Sequence, residues 1–226
     1  MTNDRASVLI AASEVRRAAD LANHFNISRE TIEKYQIYGE KIELWQRGLN
    51  LVARRSLSEM WHRHFVDSLQ LQSFIPEKIA SYADFGSGGG FPGLVLAIAL
   101  CETTQTVKTH LVESDQRKAA FLREVARATE IPIEIQSTRI EADATKIAIG
   151  PVDFISARAL APLDRLFPLI HPYCHASTVS VLPKGKAIES ELAAARQQWS
   201  FDLEVHPSRT DPDGRIAIVR DLRPSV

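Results

Sequence analysis

Cysteine is scarce. Cys101 and Cys174 are the only two in 226 residues and show no C-x-x-C spacing, so neither a disulfide framework nor a thiolate zinc site is expected, in keeping with a reducing cytoplasm. Long apolar runs are missing as well. The longest, Leu94 to Cys101, falls far short of the roughly 18 residues that span a bilayer, and its place after a glycine-rich loop suits a buried helix. Near the N-terminus, Val8 to Ala12 is too short for a signal-peptide core. Glu14, Arg16 and Arg17 follow where a small-residue cleavage site would stand, which argues against export. Net charge is nearly absent too, with 27 Lys and Arg against 28 Asp and Glu. That balance weighs against a general nucleic-acid coat protein but permits a local basic face. What is present is a composition of 45% hydrophobic and 24% charged residues, sufficient for one globular unit with a substantial core and an extension.

Glycine is also sparse, ten in all, yet five of them (Gly86, Gly88, Gly89, Gly90 and Gly93) fall within eight consecutive positions. Such a loop between a strand and a helix turns successive backbone N–H groups toward a ligand, and the helix start favours an anionic group. Gly88 to Gly93 satisfies the G-x-G-x-x-G dinucleotide pattern, so a nicotinamide cofactor and an oxidoreductase have to be considered. Glu113 follows just over twenty residues later, where its two oxygens would accept both hydroxyls of a ribose. These features point to an adenosine-like ligand without choosing which. Asp84, two positions ahead of the first glycine, points away from NAD.

Along the chain, the first eighty residues read as helical. Ser28 is a candidate N-cap, and Ile32, Tyr35, Tyr38, Ile42 and Trp45 recur at three- and four-residue steps. Residues 1–78 are expected to form a helical extension packed on a core of residues 79–226. In that core, short apolar strands alternate with helical segments, the pattern of an α/β fold with a largely parallel sheet. Strands are expected at Tyr82 to Phe85, Val107 to Val112, Ile133 to Gln136, Val152 to Ser156 and Thr178 to Leu182. Helices are expected from Gly93 and over Asp115 to Thr129. Phe201 to Val205 and Ile216 to Val219 flank a turn-rich segment with Pro207, Pro212 and Gly214, which fits a closing antiparallel hairpin.

A basic face is expected between Trp45 and His64, where Arg47, Arg54, Arg55 and Arg63 stand against the single acid Glu59. His62 and His64 would add charge at mildly acidic pH. A solvated charge run is the plainer reading of the same residues. The cluster of His171 and His175 around Pro172 is not assigned a metal, because the proline disfavours a regular helical ligand face.

Asp84-x-Gly86-x-Gly88-x-Gly90 resembles the first motif of the Rossmann-like class I S-adenosylmethionine methyltransferases. More of the chain is similar to the bacterial small-subunit (16S) rRNA guanine-N7 methyltransferases, also called glucose-inhibited division protein B. The matching segments run in order: Trp45 to Leu51, Arg63 to Ser68, the glycine motif with its Phe91-Pro92-Gly93 ending, Glu113 with Arg117-Lys118, Arg139 to Glu141, Ser156 to Ala159, Lys184-Gly185 and Gly214-Arg215. The resemblance implies a seven-stranded, mostly parallel sheet, S-adenosylmethionine as methyl donor, and a guanine in the decoding-region loop of 16S rRNA as acceptor, within the small ribosomal subunit. It implies that Gly86, Phe91, Ile140, Glu141 and Arg158 belong to the cofactor site with Asp84, Gly88, Gly90 and Glu113. Lys184 and Arg215 fall at positions of substrate contact or catalysis, and Asn50, Arg54, Arg55, Arg63 and His64 on the RNA-facing side. Ile140 reads equally well as ordinary core, and His64 as a hydrogen-bonded packing residue. The chain departs from the family pattern at Val52, where threonine is common. A non-catalytic RNA-binding or assembly factor with the same fold is the other reading.

Overall fold

A computed structural model of the protein describes residues 8–102 and 106–225. The first seven positions of the expected extension and residues 103–105 and 226 of the expected core lie outside the described residues. The first regular helix is α1 (Arg29–Trp45). As expected, Ser28 starts it: its hydroxyl accepts the Thr31 N–H at 3.1 Å and satisfies a donor the first turn leaves unpaired. Tyr35, Tyr38 and Ile42 form its fully buried stripe, each contributing about 1.5–3 kcal/mol by leaving water. After α1 come a 3-10 turn at Arg54–Glu59, a π-helical turn at Trp61–Val66 and the short α2 (Asp67–Leu69).

Strands and helices then alternate: β1 (Ser81–Phe85), α3 (Gly93–Leu100), β2 (Lys108–Val112), α4 (Gln116–Ala128), β3 (Ile133–Gln136), α5 (Asp143–Ile149), β4 (Phe154–Ser156), α6 (Leu163–Ile170), β5 (Val179–Lys184) and α7 (Ile188–Ala195). The last two strands, β6 (Trp199–Pro207) and β7 (Arg215–Pro224), form the expected hairpin. The seven-stranded sheet has the order β3-β2-β1-β4-β5-β7-β6, parallel except for β7, which runs antiparallel to both neighbours. Compared with the apolar runs in the sequence, β4 starts two residues late. Val152 is held outside the ladder by its N–H bond to the Tyr173 carbonyl. Both hairpin strands are longer than expected, β7 because its added positions carry charged side chains, among them Arg220, which pairs with Glu204 at 2.5 Å.

α3 is apolar on every side and buried along its whole length, as a helix between two layers must be. It packs on β1 and β2, and α1 covers it together with α4. Thus Tyr38, Phe65 and Met60 of the N-terminal segments share one core with Phe91, Leu94, Phe121 and Leu122. On the other face, α6 and α7 pack with Phe85, Ile155 and Leu182. The chain leaves β1 toward β2 and β3 on one side and returns to β4 on the other, so the strand order reverses between β1 and β4. In open α/β sheets a crevice opens beyond the carboxyl ends of the strands at that reversal. The glycine loop after β1 and Ala157–Arg158 after β4 flank it.

Candidate functional site

The glycine loop needs its glycines for two separate reasons. Gly86, Gly88 and Gly90 have φ of 71°, 56° and 94°, a region that side chains disfavour. At Gly90 there is no room either, since a Cβ would overlap the Tyr38 hydroxyl and crowd Leu94. That hydroxyl donates to the Gly89 carbonyl at 2.5 Å, and the Tyr38 ring stacks on Phe91 at 5.3 Å. A second brace comes from the Leu51 carbonyl, which lies against Gly89. The Gln46 carboxamide fixes the loop carrying it, accepting from Leu51 and Val52 N–H at 2.9 and 3.1 Å and donating to the Val52 carbonyl at 2.8 Å. At position 52 the backbone makes the polar contacts and the side chain is buried, so valine serves where a hydroxyl is absent.

Asp84 is 1% exposed and works from beneath the loop. Its carboxylate accepts the Ser156 hydroxyl at 2.5 Å and fills the space a side chain at Gly93 would need. Burial pushes its carboxyl up to about 6, against the lowering effect of the Ser156 hydroxyl. Asp84 therefore ties β1, β4 and the start of α3 together instead of lining the cleft. Glu113 stands at the end of β2 with one oxygen accepting the Gly88 N–H at 2.8 Å and the other the Asp115 N–H at 2.7 Å. Each oxygen retains a lone pair for a hydroxyl. Ile140 packs in the core with Phe85 and Val112, and its carbonyl accepts the Tyr173 hydroxyl. The Glu141 side chain is 53% exposed and pairs with Arg139 at 3.6 Å. Backbone conformation, open lone pairs and a close backbone approach make the crevice fit an adenosine-type cofactor.

Arg158 joins this crevice to a second compartment. Its guanidinium carbon lies 5.5 Å from the Phe91 ring centroid, near enough for cation–π attraction. It also lines a cavity of about 530 Å³ whose wall includes Lys184 and Arg215. These two face each other across the β5–β7 ladder, so the antiparallel strand brings its first residue to the edge where the parallel strands end. Both are already engaged. The Lys184 side chain is 8% exposed, paired with Glu191 at 2.9 Å and donating to the Ala161 carbonyl at 2.8 Å. Arg215 Nη1 donates to the Pro212 and Gly214 carbonyls at 2.9 and 2.7 Å, leaving Nη2 and Nε.

Asn50, Arg54, Arg55 and Arg63 are exposed, and Asn50 and Arg54 line a smaller recess beside the glycine loop. Arg63 pairs with Glu59 at 2.5 Å. Of the two histidines, it is His64 that corrects the expectation of added charge at mildly acidic pH. His62 is buried with Nε2 bonded to the Ile10 carbonyl at 2.7 Å. His64 lies 4.9 Å from the Phe91 ring, and burial, then Arg158 and Arg63, lower its pKa to about 3. It is a neutral packing group at the root of the basic face. Elsewhere, His175 pairs with Asp153 at 3.1 Å and the His171 ring contacts Trp199. No helix among the described residues is long and apolar enough to cross a membrane.

Sequence reasoning missed Tyr38, Gln46, Asp67 and Glu191 as parts of the site. Gln46 and Asp67 lie inside matched segments, but their partners are fixed only by the fold.

The fold is similar to that of an O-methyltransferase from Bacillus cereus in complex with SAH, with a TM-score of 0.58 at 12% identity over 91% of this chain and 98% of that one. Two proteins named "Ribosomal RNA small subunit methyltransferase G" are much nearer in sequence. The one from Parvibaculum lavamentivorans is 48% identical over 87% of this chain and 86% of its own length; that from Rhodospirillum centenum is 43% identical over 92% of both. The family model described as "rRNA small subunit methyltransferase G" matches residues 31–211, and with these relatives it establishes that the chain belongs to that family.

Proposed function

We propose that the protein transfers the methyl group of S-adenosylmethionine to N7 of one guanine in the decoding-region loop of 16S rRNA, in the cytoplasm and within the small ribosomal subunit. The observation that carries this reading is the shared wall at Arg158: the glycine-loop crevice with Phe91 on one side and, on the other, a cavity whose wall includes Lys184 and Arg215, in a chain of the rRNA small subunit methyltransferase G family. When bound, S-adenosylmethionine supplies an electrophilic methyl on its sulfonium. The glycine loop, Phe91 and Glu113 would hold its nucleoside, and Arg158 its carboxylate through a charge-assisted fork.

Guanine N7 already presents a lone pair, so its in-line attack requires no general base. Of the carboxylates on the cavity wall, Asp67 and Glu191 are paired with Arg158 and Lys184, and Asp211 accepts the Asp213 N–H at 2.9 Å. The protein's task is alignment, worth up to roughly 7–11 kcal/mol when reacting atoms sit at near-attack distance. Arg215 and Lys184 would orient the base through O6 and nearby phosphates. Asn50, Arg54, Arg55 and Arg63 would meet RNA beside the glycine loop, and an unstacked or flipped guanine would enter the cavity.

The test is transfer of labelled methyl from S-adenosylmethionine to undermethylated small subunits and to protein-free rRNA, followed by cleavage mapping at N7-methylguanine. Labelling at one guanine of the decoding-region loop is expected. Cofactor binding without labelling of either substrate would overturn the acceptor assignment and turn the reading toward a non-catalytic factor.

A further inference from the structure

Arg158 stands where the two compartments meet, and the groups that hold it come from three separate stretches of chain. Nη1 donates to Asp67 Oδ2 at 2.9 Å and Nη2 to His64 Nδ1 at 3.1 Å. An imidazole that accepts at Nδ1 carries its proton on Nε2, and that atom meets the Ser56 hydroxyl at 2.8 Å, which donates to the Ala53 carbonyl at 2.8 Å. The remaining oxygen of Asp67, Oδ1, accepts the Thr210 hydroxyl at 2.7 Å and the Gln70 amide at 2.9 Å. Gln70 in turn accepts the Arg209 N–H at 2.7 Å. The carboxylate is thus fixed at both ends, by a cation at the end of β4 and by the turn between β6 and β7.

We propose that Asp67 is a positioning residue for Arg158, setting the guanidinium above Phe91 and registering it with the β6–β7 turn. The proposal rests on the reading that Arg158 meets the carboxylate of S-adenosylmethionine. A guanidinium has five N–H donors, and the bonds to Asp67, His64 and, at 3.4 Å, the Arg63 carbonyl use three of them, while the side chain stays 20% exposed. Asp67 therefore fixes the direction of the remaining donors without consuming them. An unrestrained arginine would have to lose its rotamer freedom on each binding event. Because the cofactor's carboxylate is remote from the transferring methyl, its contact acts equally before and during transfer, so its loss raises KM and leaves kcat.

The experiment is steady-state methyl transfer by wild type, Asp67→Asn, Arg158→Ala and the double variant, preceded by calorimetric titration of the wild type with S-adenosylmethionine. Asp67→Asn is expected to raise KM for S-adenosylmethionine about tenfold with kcat within about threefold, and to change KM less than about twofold when Arg158 is already alanine. A lowered kcat at unchanged KM, the mark of a smaller folded fraction, overturns the proposal. So does an equal loss in both backgrounds. If Asp67→Asn is insoluble, Thr210→Val removes one restraint on Asp67 and is expected to raise the same KM about threefold; an unchanged KM overturns the proposal by that route. A wild type that binds no S-adenosylmethionine removes the underlying reading, whereas one that binds it and tolerates Asp67→Asn removes Asp67 alone.

Discussion

On the cofactor side of the site, the glycine loop is shaped by uncharged or buried contacts that have no second use: the Tyr38 hydroxyl above Gly89, the Leu51 carbonyl against the same residue, and Asp84 beneath Gly93. On the acceptor side, the two cations on the β5–β7 edge of the cavity already have partners in the protein. Lys184 holds Glu191 and Ala161, and Arg215 holds the carbonyls of its own turn. The first region resists change because its atoms are in contact. The second is held by a charge pair and charge-assisted hydrogen bonds, whose partners can be shared with or exchanged for an incoming polar ligand. Damage to the first should therefore appear as lost stability and cofactor affinity together, and damage to the second as lost transfer with the fold intact.

The largest effect should come from Gly90→Ala. The new methyl meets the Tyr38 hydroxyl in a backbone conformation that L-residues avoid, and the two costs together should reach about 3 kcal/mol or more by urea denaturation. Loss of cofactor binding is expected in parallel. A stable, cofactor-binding Gly90→Ala protein would break the contrast at its stronger end. Next is Arg215→Ala, which should lower methyl transfer about 10- to 100-fold while cofactor affinity in calorimetry stays within about twofold and the urea midpoint hardly moves. A parallel fall in stability would place Arg215 with the rigid half.

A smaller effect depends on pH. His64 titrates at about 3 in the folded protein and near 6.5 when unfolded, so between those values the unfolded chain binds the extra proton. Its contribution is whole above pH 6.5 and is lost as pH falls toward 3. Between pH 7 and pH 5, wild type should lose about 1–2 kcal/mol relative to His64→Gln, allowing for the partial exposure of the ring. Equal slopes for the two proteins would mean that His64 titrates normally. The smallest effect belongs to Gly185→Ala, where a methyl group would meet nothing within 4 Å. Its cost should stay below about 0.5 kcal/mol, although it lies beside Lys184 in a glycine-poor chain.

Much of the fold was legible because the sheet is built from local patterns. β1, β3 and α4 fall within a residue of their apolar runs, and the Ser28 cap and closing hairpin are readable from short segments. The π-helical turn was not, since Trp61 to Val66 carries nothing that separates it from an ordinary helix. The site divides in the same way. Glycines declare a close backbone approach wherever they cluster, so the crevice could be found from eight positions. Asp67 could not be given a role, because its partners Arg158 and Thr210 are 91 and 143 positions away and only the completed sheet brings them within reach. His64 shows the converse: beside Arg63 in sequence it reads both as a source of charge at mildly acidic pH and as a hydrogen-bonded packing residue, and the fold, by turning its ring onto Phe91, leaves the second.

The reversed strand β7 has a consequence for the order in which the molecule comes into being. Domains form during synthesis as their segments emerge, and the glycine loop with all its braces is encoded within the first half of the chain. The acceptor cavity waits for Arg215, and the second anchor of Asp67 waits for Thr210. A growing chain therefore carries the glycine loop well before β4 brings Arg158, and Arg158 roughly sixty residues before Arg215 closes the wall for an acceptor, so the ability to bind both partners arrives only with the last strand.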